Sequence, residues 1–554
     1  MRRADALSRP LVLGLLFAGA ALLSGITVLD GVQPNDEGLM LQAAARIAAG
    51  EVPYSDFWWY YPPGQPYLLA GLWELFGPSL LAWRVVRVLV DAAVAVLAFE
   101  LARRRTGAGA HARWLPLAAW LAAACAMAFP SGPHPFPIAL ALALGALLAA
   151  ERRPLLAGVL LGLCAVWRLE FAAYAGLGIA VAHALSAGPR RERAGRLGRV
   201  AGAATAAGAL LYLPVVLAAG VGRSWEMLIE YPLLDFGDYQ SLPFPLDYDG
   251  PLNTSGAGGF LSDSAENLIH FYLPLALVIG LAGGLLALAP RFRRADPWPA
   301  ATGVFAIGMG HYLLVRADIF HTAPLAVMVA ILAAWALGGS RPGSIPSSIG
   351  TQSTPVERSG PEPPPSPAAE SGRATGPIAL MAAAAATLGL VWALAEGLDR
   401  RVRGLTDEDT RALDLPAADG VEARPQRALA LERAARFVRA RVPEGEPIYV
   451  TTLRSDLVTS GNPLLYVLAG RPNATRYDIA APGVVTSAPV QREIVADLRR
   501  ERPLVVRWTA PVTAEAEPNA AGRSSGVRLL DDYLAREYGQ VAKLGYYVML
   551  EPRP

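Results

Sequence analysis

Long runs of Ala, Leu, Val and Gly follow one another through most of this chain, and charged residues are kept out of them. A water-soluble core cannot bury so many such runs. A bilayer can, given about 20 consecutive apolar residues per helix, with about 17–25 tolerated. Only 17% of the residues are charged, against roughly 25% in soluble domains. The pattern predicts an α-helical polytopic membrane protein. Eleven spans are read, at 11–29, 79–101, 114–129, 135–150, 155–167, 171–185, 200–217, 271–288, 299–315, 320–337 and 378–395. Arg2 and Arg3 precede the first run, which is read as an uncleaved first helix.

Arginine placement sets the orientation, because cytoplasmic loops collect Lys and Arg. With the N-terminus inside, the cytoplasmic loops carry Arg103–Arg105, Arg152 and Arg153, the run Arg190–Arg199, and Arg291, Arg293 and Arg294. Every cluster stays inside only if 155–167 and 171–185 are separate spans. The outer face then receives the first loop (30–78), the turns at His134, at Arg168 and Glu170, and at Arg316–His321, and the loop 220–270. Four regions result: a transmembrane core (1–337), a Pro/Ser-rich linker (338–376) too poor in apolar residues to fold, a last span (377–397) and a polar segment (398–554). In that segment 428–442, 490–500 and 529–538 read as helices, and 447–452, 504–508 and 545–550 as strands, a small extracytoplasmic α/β domain.

Several function classes fall away. A net charge of +2 gives no reason to expect nucleic acid, and no Gly-rich nucleotide fingerprint occurs. Cys125 and Cys164 both lie in apolar runs and read as buried thiols.

The polar residues that remain gather on the outer face. Asp36 and Glu37 follow the first span. They suit a solvated loop capping the next helix, or a general base with a neighbouring carboxylate that orients an acceptor or holds a divalent metal. Arg84, Arg87 and Asp91 share one helical face and suit a packing cluster or a phosphate site. Arg168 and Glu170 suit a helix-capping pair or ligand binding. Arg316, Asp318 and His321 combine a phosphate-binding cation with an imidazole able to bind a metal or hydrogen-bond a leaving group. The aromatic and acidic residues of 220–270 fit sugar stacking as well as an interfacial belt. Asn473–Asp478 (NATRYD) falls in a loop able to face the site.

From Asn35 to Ala70 the chain reads NDEGLMLQAAARIAAGEVPYSDFWWYYPPGQPYLLA. An acidic pair, a short amphipathic helix, Gly-x-x-Pro-Tyr and Pro-Pro-Gly follow in that order. The segment resembles the first outer loop of C-type membrane glycosyltransferases, in the bacterial branch of the protein O-mannosyltransferase and aminoarabinose transferase superfamily (glycosyltransferase family 39-like). The resemblance implies that Asp36 is the catalytic base and Glu37 its neighbour in the site. Aminoarabinose transferases carry Glu-Lys before the double proline, the Lys near the donor phosphate. Tyr60 and Tyr61 stand there in this chain. The phosphate then falls to other cations, with Arg84, Arg87, Arg168 and Arg316 as candidates, and Tyr60, Tyr61, Glu170, Asp318 and His321 are expected to bind substrate. A divalent metal is left open, with Glu37 and His321 as candidate ligands.

The expected activity is inverting transfer of a hexosyl or pentosyl unit from a polyprenyl-phosphate sugar to a hydroxyl of a glycan, lipid or protein, on the outer face of a bacterial cytoplasmic membrane. A flippase or transporter for a lipid-linked or anionic solute, and a non-catalytic polysaccharide-assembly protein, are the rival expectations.

Overall fold

The computed structural model describes residues 8–106, 112–127, 132–242, 268–292, 296–338, 377–406, 409–457, 461–481, 483–510 and 519–554. Among the described residues nine helices come first: α1 (Arg9–Gly25), α2 (Asp36–Ala48), α3 (Gly64–Phe76), α4 (Leu80–Arg105), α5 (Leu115–Ala126), α6 (Pro135–Ala150), α7 (Pro154–Trp167), α8 (Leu169–Leu185) and α9 (Arg190–Ala219). Further long helices cover Leu273–Phe292, Trp298–Val315, Thr322–Gly338 and Pro377–Thr406.

Each of the eleven apolar runs coincides with a helix. Among the described residues three helical stretches suffice by length and composition to cross a membrane, Arg190–Ala219, Leu268–Leu285 and Trp298–Val315, and seven further apolar helices are shorter. Helix α4 stands apart because Arg84, Arg87, Asp91 and Glu100 interrupt its apolar surface. Arg168, with extended backbone (φ −151°, ψ 110°), separates α7 from α8. The Arg190–Arg199 cluster, read as a loop, instead forms the first turns of α9. Arg, Glu, Ala and Leu all favour helix, which lets the cluster extend the span that follows.

Two cores divide the molecule. The first belongs to the helical bundle and centres on Thr322–Gly338, where Thr322 to Trp335 are all buried. Small residues bring its helices close. A Cβ on Gly158 or Gly162 of α7 would lie 2.3 Å from the Val200 carbonyl or 2.4 Å from that of Ala204 on α9, the close approach that small residues permit in membrane bundles. Outward-facing leucines of α9, such as Leu210 and Leu217, are exposed.

The second core joins the segment between α1 and α4 to the C-terminal segment. Leu39, Met40, Tyr54, Phe57, Trp58, Trp59 and Trp83 pack in one cluster with Leu431, Ile448, Leu465, Val505 and Met549. Strands β1 (Arg411–Ala412) and β2 (Glu422–Ala423) form a short antiparallel pair. Strands β3 (Ile448–Thr451), β4 (Leu504–Trp508), β5 (Tyr538–Leu544) and β6 (Tyr547–Pro552) form a sheet in the order β3-β4-β6-β5. The β3–β4 pairing is parallel, with the helix Ala488–Glu501 in the crossover, and the others are antiparallel. Strand β3 is buried throughout. The sequence pattern does not predict strand β5, since it stops a helix at 538 and starts the last strand at 545. The exposed Gln540, Val541 and Lys543 lack the apolar alternation by which strands are read. The linker 338–376, apart from Gly338, and the acidic and aromatic residues of 243–267 lie outside the described residues.

Candidate active site

Helix α2 follows the loop after α1, with Asn35 ahead of Asp36 and Glu37 in the first turn. Carboxylates there face the positive end of the helix dipole. The two neighbours have opposite surroundings. Glu37 is buried, and its oxygens accept from Arg84 Nε at 2.8 Å and Arg84 Nη2 at 2.9 Å. Arg84 also donates from Nη1 to the carbonyls of Val28 (3.0 Å) and Asp30 (3.4 Å), and from Nη2 to that of Gly31 (2.7 Å). A guanidinium has five N–H donors, so protein acceptors take up all of them. Arg87 is likewise buried, held by Asp91 (2.8 Å) and the carbonyls of Gly132 (3.3 Å) and Met127 (2.7 Å), while Ser24 donates to the other Asp91 oxygen at 2.6 Å. Arg84 and Arg87, both read from sequence as phosphate contacts, are thus bound to protein groups and closed to solvent. A phosphate could reach either only by displacing these bonds.

Asp36 is exposed. Protein nevertheless crowds its carboxyl, and the lost hydration pushes it above the usual carboxylate range. The Asn35 amide and the charges of Arg316 and His321 pull it down, and Asp318 pushes it up. A carboxylate that is accessible yet crowded lies in a recess. The turn Arg316–His321 therefore bears on Asp36 from the end of the Trp298–Val315 helix, nearly 300 residues later in the chain.

That turn is internally ordered. Arg316 Nε donates to Asp318 Oδ2 at 2.9 Å, and its Nη1 to the Gln240 carbonyl at 2.5 Å. His321 Nδ1 lies 2.6 Å from Asp318 Oδ1, so Nδ1 carries the proton and donates. Burial alone would raise the Asp318 carboxyl. The hydrogen bond from His321 and the charges of His321 and Arg316 outweigh it and hold the carboxyl below its ordinary value.

Arg168 completes the array. It donates to the Tyr312 hydroxyl at 3.0 Å, pairs with Glu170 at 3.3 Å, and lies over the rings of Tyr61 (5.6 Å) and Tyr312 (5.5 Å). Its Nε is buried and makes no hydrogen bond among the described residues. The Tyr312 ring also packs on His321, with centroids 4.5 Å apart. Tyr60 donates to the Tyr61 hydroxyl at 3.1 Å. Burial raises both phenols, well above the usual value for Tyr60, so both stay neutral donors. Asp36 adds to the rise in each, which puts both tyrosines within its field. Tyr54 supports this stretch by donating to the Tyr61 carbonyl at 2.7 Å, from a left-handed backbone (φ 69°) that a bulky residue rarely adopts.

His134 and Tyr312 also pack against the Arg316–His321 turn, and neither stands out in the sequence as a site residue. His134 caps α6 and packs against Phe320 at 4.5 Å. Burial, then repulsion from Arg168, His321 and Arg87, drives its imidazole well below the usual range, so it is neutral. Tyr312 stands in an apolar run, where one tyrosine carries no signal.

The C-terminal segment packs on α2 and the loop after it. Asp478 accepts from Arg46 (3.1 Å) and Gln42 (3.3 Å) of α2, and the Arg476 carbonyl accepts from the Trp58 amide at 2.9 Å. A Cβ on Gly38 would lie 2.3 Å from the Leu464 nitrogen. Only glycine permits this approach, one residue after the acidic pair.

No three His, Cys, Asp or Glu gather to hold a metal ion among the described residues. Both Glu37 oxygens are taken by Arg84, and His321 Nδ1 by Asp318.

No protein-family profile matches the sequence, and neither does any curated protein. Solved structures do match. ArnT from Cupriavidus metallidurans, bound to undecaprenyl phosphate, aligns over 98% of this chain and 98% of its own, with TM-score 0.51 and 16% identity. Its apo state aligns equally well. The apo oligosaccharyltransferase of Archaeoglobus fulgidus aligns over 91% of this chain and 70% of its own, with TM-score 0.52 and 13% identity. The chain has the C-type membrane glycosyltransferase fold. The near-complete coverage by ArnT extends this C-type likeness well beyond the first hundred residues, where the sequence motifs end.

Proposed function

We propose that the protein transfers a sugar from a polyprenyl-phosphate donor to a hydroxyl group, with inversion, in the recess around Asp36. The observation that carries this reading is the grouping of one accessible carboxylate with the Arg316–Asp318–His321 turn, in a fold shared with ArnT. Asp36 takes the proton from the acceptor hydroxyl as its oxygen bonds to the anomeric carbon, and the bond from that carbon to the phosphate oxygen breaks. Arg168 and Arg316 meet the charge that builds on the leaving phosphate. Both are ordered by protein partners before any substrate arrives, and guanidinium forks suit phosphate. Tyr60 and Tyr61 offer neutral hydroxyls where the aminoarabinose transferases carry Glu-Lys. Glu37, with Arg84, holds α2 in place.

The donor's lipid tail would lie in the bilayer and its sugar on the outer face of a bacterial cytoplasmic membrane. The acceptor would be a glycan, a lipid or a protein. Protein in lipid nanodiscs, given radiolabelled polyprenyl-phosphate sugars and a membrane extract, tests this. Label should enter a new product with wild type and not with Asp36→Asn. Equal turnover by the variant would remove Asp36 as the base. Movement of donor across the bilayer with no product would replace the transferase by a flippase.

A further inference from the structure

A second cavity, of about 330 Å³, lies between the first outer loop, the segment after α9 and the C-terminal segment. Its size falls within the roughly 300–1,000 Å³ of small-ligand sites. Trp58, Glu226, Tyr231, Asp235, Tyr239 and Tyr477 line it. It is a place distinct from the Asp36 recess, yet joined to it by a row of rings. Trp58 lies 5.0 Å from Tyr60, and Tyr60 lies 4.3 Å from Tyr61, whose ring underlies Arg168.

The wall of this cavity is built by unusual backbone. Residues Glu226–Asp235 form a π-helix. In an α-helix, positions five apart point about 140° away from each other. The i→i+5 bonding brings them into line. Tyr231 and Phe236 consequently both face Tyr60, with centroids at 5.6 Å and 5.5 Å. On the C-terminal side, Gly483 (φ +71°) lies against the Tyr239 ring, and a Cβ there would be 2.6 Å from Tyr239 Cε2.

Among the polar groups of the lining, the Tyr477 hydroxyl donates to Glu493 at 2.8 Å. Arg223 grips Glu226 through bonds of 3.1 Å and 2.9 Å, which fixes that carboxylate at the rim. Asp235 is exposed and accepts no hydrogen bond among the described residues. Trp58 and Tyr231 meet edge to face at 89°, so the floor is a closed aromatic surface and not a cage of open faces around a cation. The same segment turns Trp225, Leu233 and Leu234 outward, 60%, 74% and 68% exposed. Such a face belongs at a membrane interface.

We infer that this cavity is a saccharide subsite, holding one pyranose ring of the acceptor beside the membrane surface while another part of that acceptor reaches Asp36. Its role as an acceptor subsite rests on the transferase reading. Its ability to bind saccharide does not. The test therefore omits the donor. Nanodisc-embedded protein is applied to an array of immobilised bacterial-type oligosaccharides, and separately to phosphatidylcholine vesicles carrying a monohexosyl diacylglycerol. Wild type should bind pyranosides on at least one of the two. Binding to the array supports a soluble or polymeric glycan, and binding to the vesicles alone supports a glycolipid. Asp235→Ala should weaken binding by about tenfold or more, the loss of one charge-assisted hydrogen bond. Val490→Trp, which fills the cavity, should abolish it. Both variants should keep the wild-type melting temperature, and Asp235→Ala changes only an exposed side chain. No saccharide bound on either surface, or binding that both substitutions leave unchanged, overturns the inference. Binding without transfer in the donor assay would sink the transferase reading and leave the subsite standing.

Discussion

Glu37 and Arg84 form a two-bond ion pair with both side chains fully buried. It ties the first turn of α2 to the long helix α4, and three backbone carbonyls of the loop between α1 and α2 close on the same guanidinium. Removing one partner strands the other charge, at a cost of about 3–5 kcal/mol. Glu37→Ala should therefore lower the melting temperature sharply and reduce the yield of folded protein. Asp36→Asn, one residue earlier, should leave both near wild type. Equal melting of all three proteins would remove the structural role of Glu37.

Activity should fall on acidification, with a limb set by Asp36. In its proposed role as base Asp36 works deprotonated, and crowding raises its carboxyl above the usual range. The loss should thus begin at a higher pH than for an aspartate in open water. Arg316 opposes that rise. Arg316→Gln should move the acid limb of kcat further up in pH and also raise KM for the donor. A limb unmoved by this substitution would separate Arg316 from Asp36.

Arg168→Lys keeps the charge and loses the planar fork that reaches Tyr312 and Glu170 while stacking on Tyr61. A lysine cannot reproduce that arrangement. Transfer should drop about tenfold or more in kcat/KM, with the fold intact by circular dichroism. Wild-type kinetics would exclude Arg168 from phosphate binding.

Two glycines should respond in opposite ways to alanine. Gly38→Ala drives a methyl group into the Leu464 backbone and should loosen the C-terminal segment, seen as faster proteolytic cleavage between 406 and 425. A Cβ on Gly71, in α3, would meet nothing within 4 Å. Gly71→Ala should be neutral or stabilise by about 0.5–1 kcal/mol, the helix-interior penalty of glycine. Equal protease sensitivity of wild type and Gly38→Ala would show that the contact with Leu464 yields without loosening the segment.

Much of the site was legible because charge is scarce in this chain. Asp36, Arg168, Arg316, Asp318 and His321 stand out between apolar runs, and arginine placement predicts one membrane face for them all. What stayed hidden depends on direction and not on residue type. Asp36 and Glu37 are adjacent and chemically alike, yet about 100° of helical rotation separates a recess from a buried ion pair. The partnership of Tyr231 and Phe236 was invisible because a spacing of five fits no α-helical face. Arg84 and Arg87 could be read equally as a packing cluster or a phosphate site because their backbone partners, carbonyls of distant loops, leave no mark in a sequence.

The shared core of the segment between α1 and α4 and the C-terminal sheet limits how such a chain can be recombined. Trp58 and Met40 pack with Ile448 and Val505, and Gly38 is shaped to the backbone of Leu464. A chimera that imports another protein's C-terminal segment onto this bundle would bring a mismatched surface to α2. The helix carrying Asp36 and the sheet behind it form one unit of exchange, though some 400 residues lie between them in the chain.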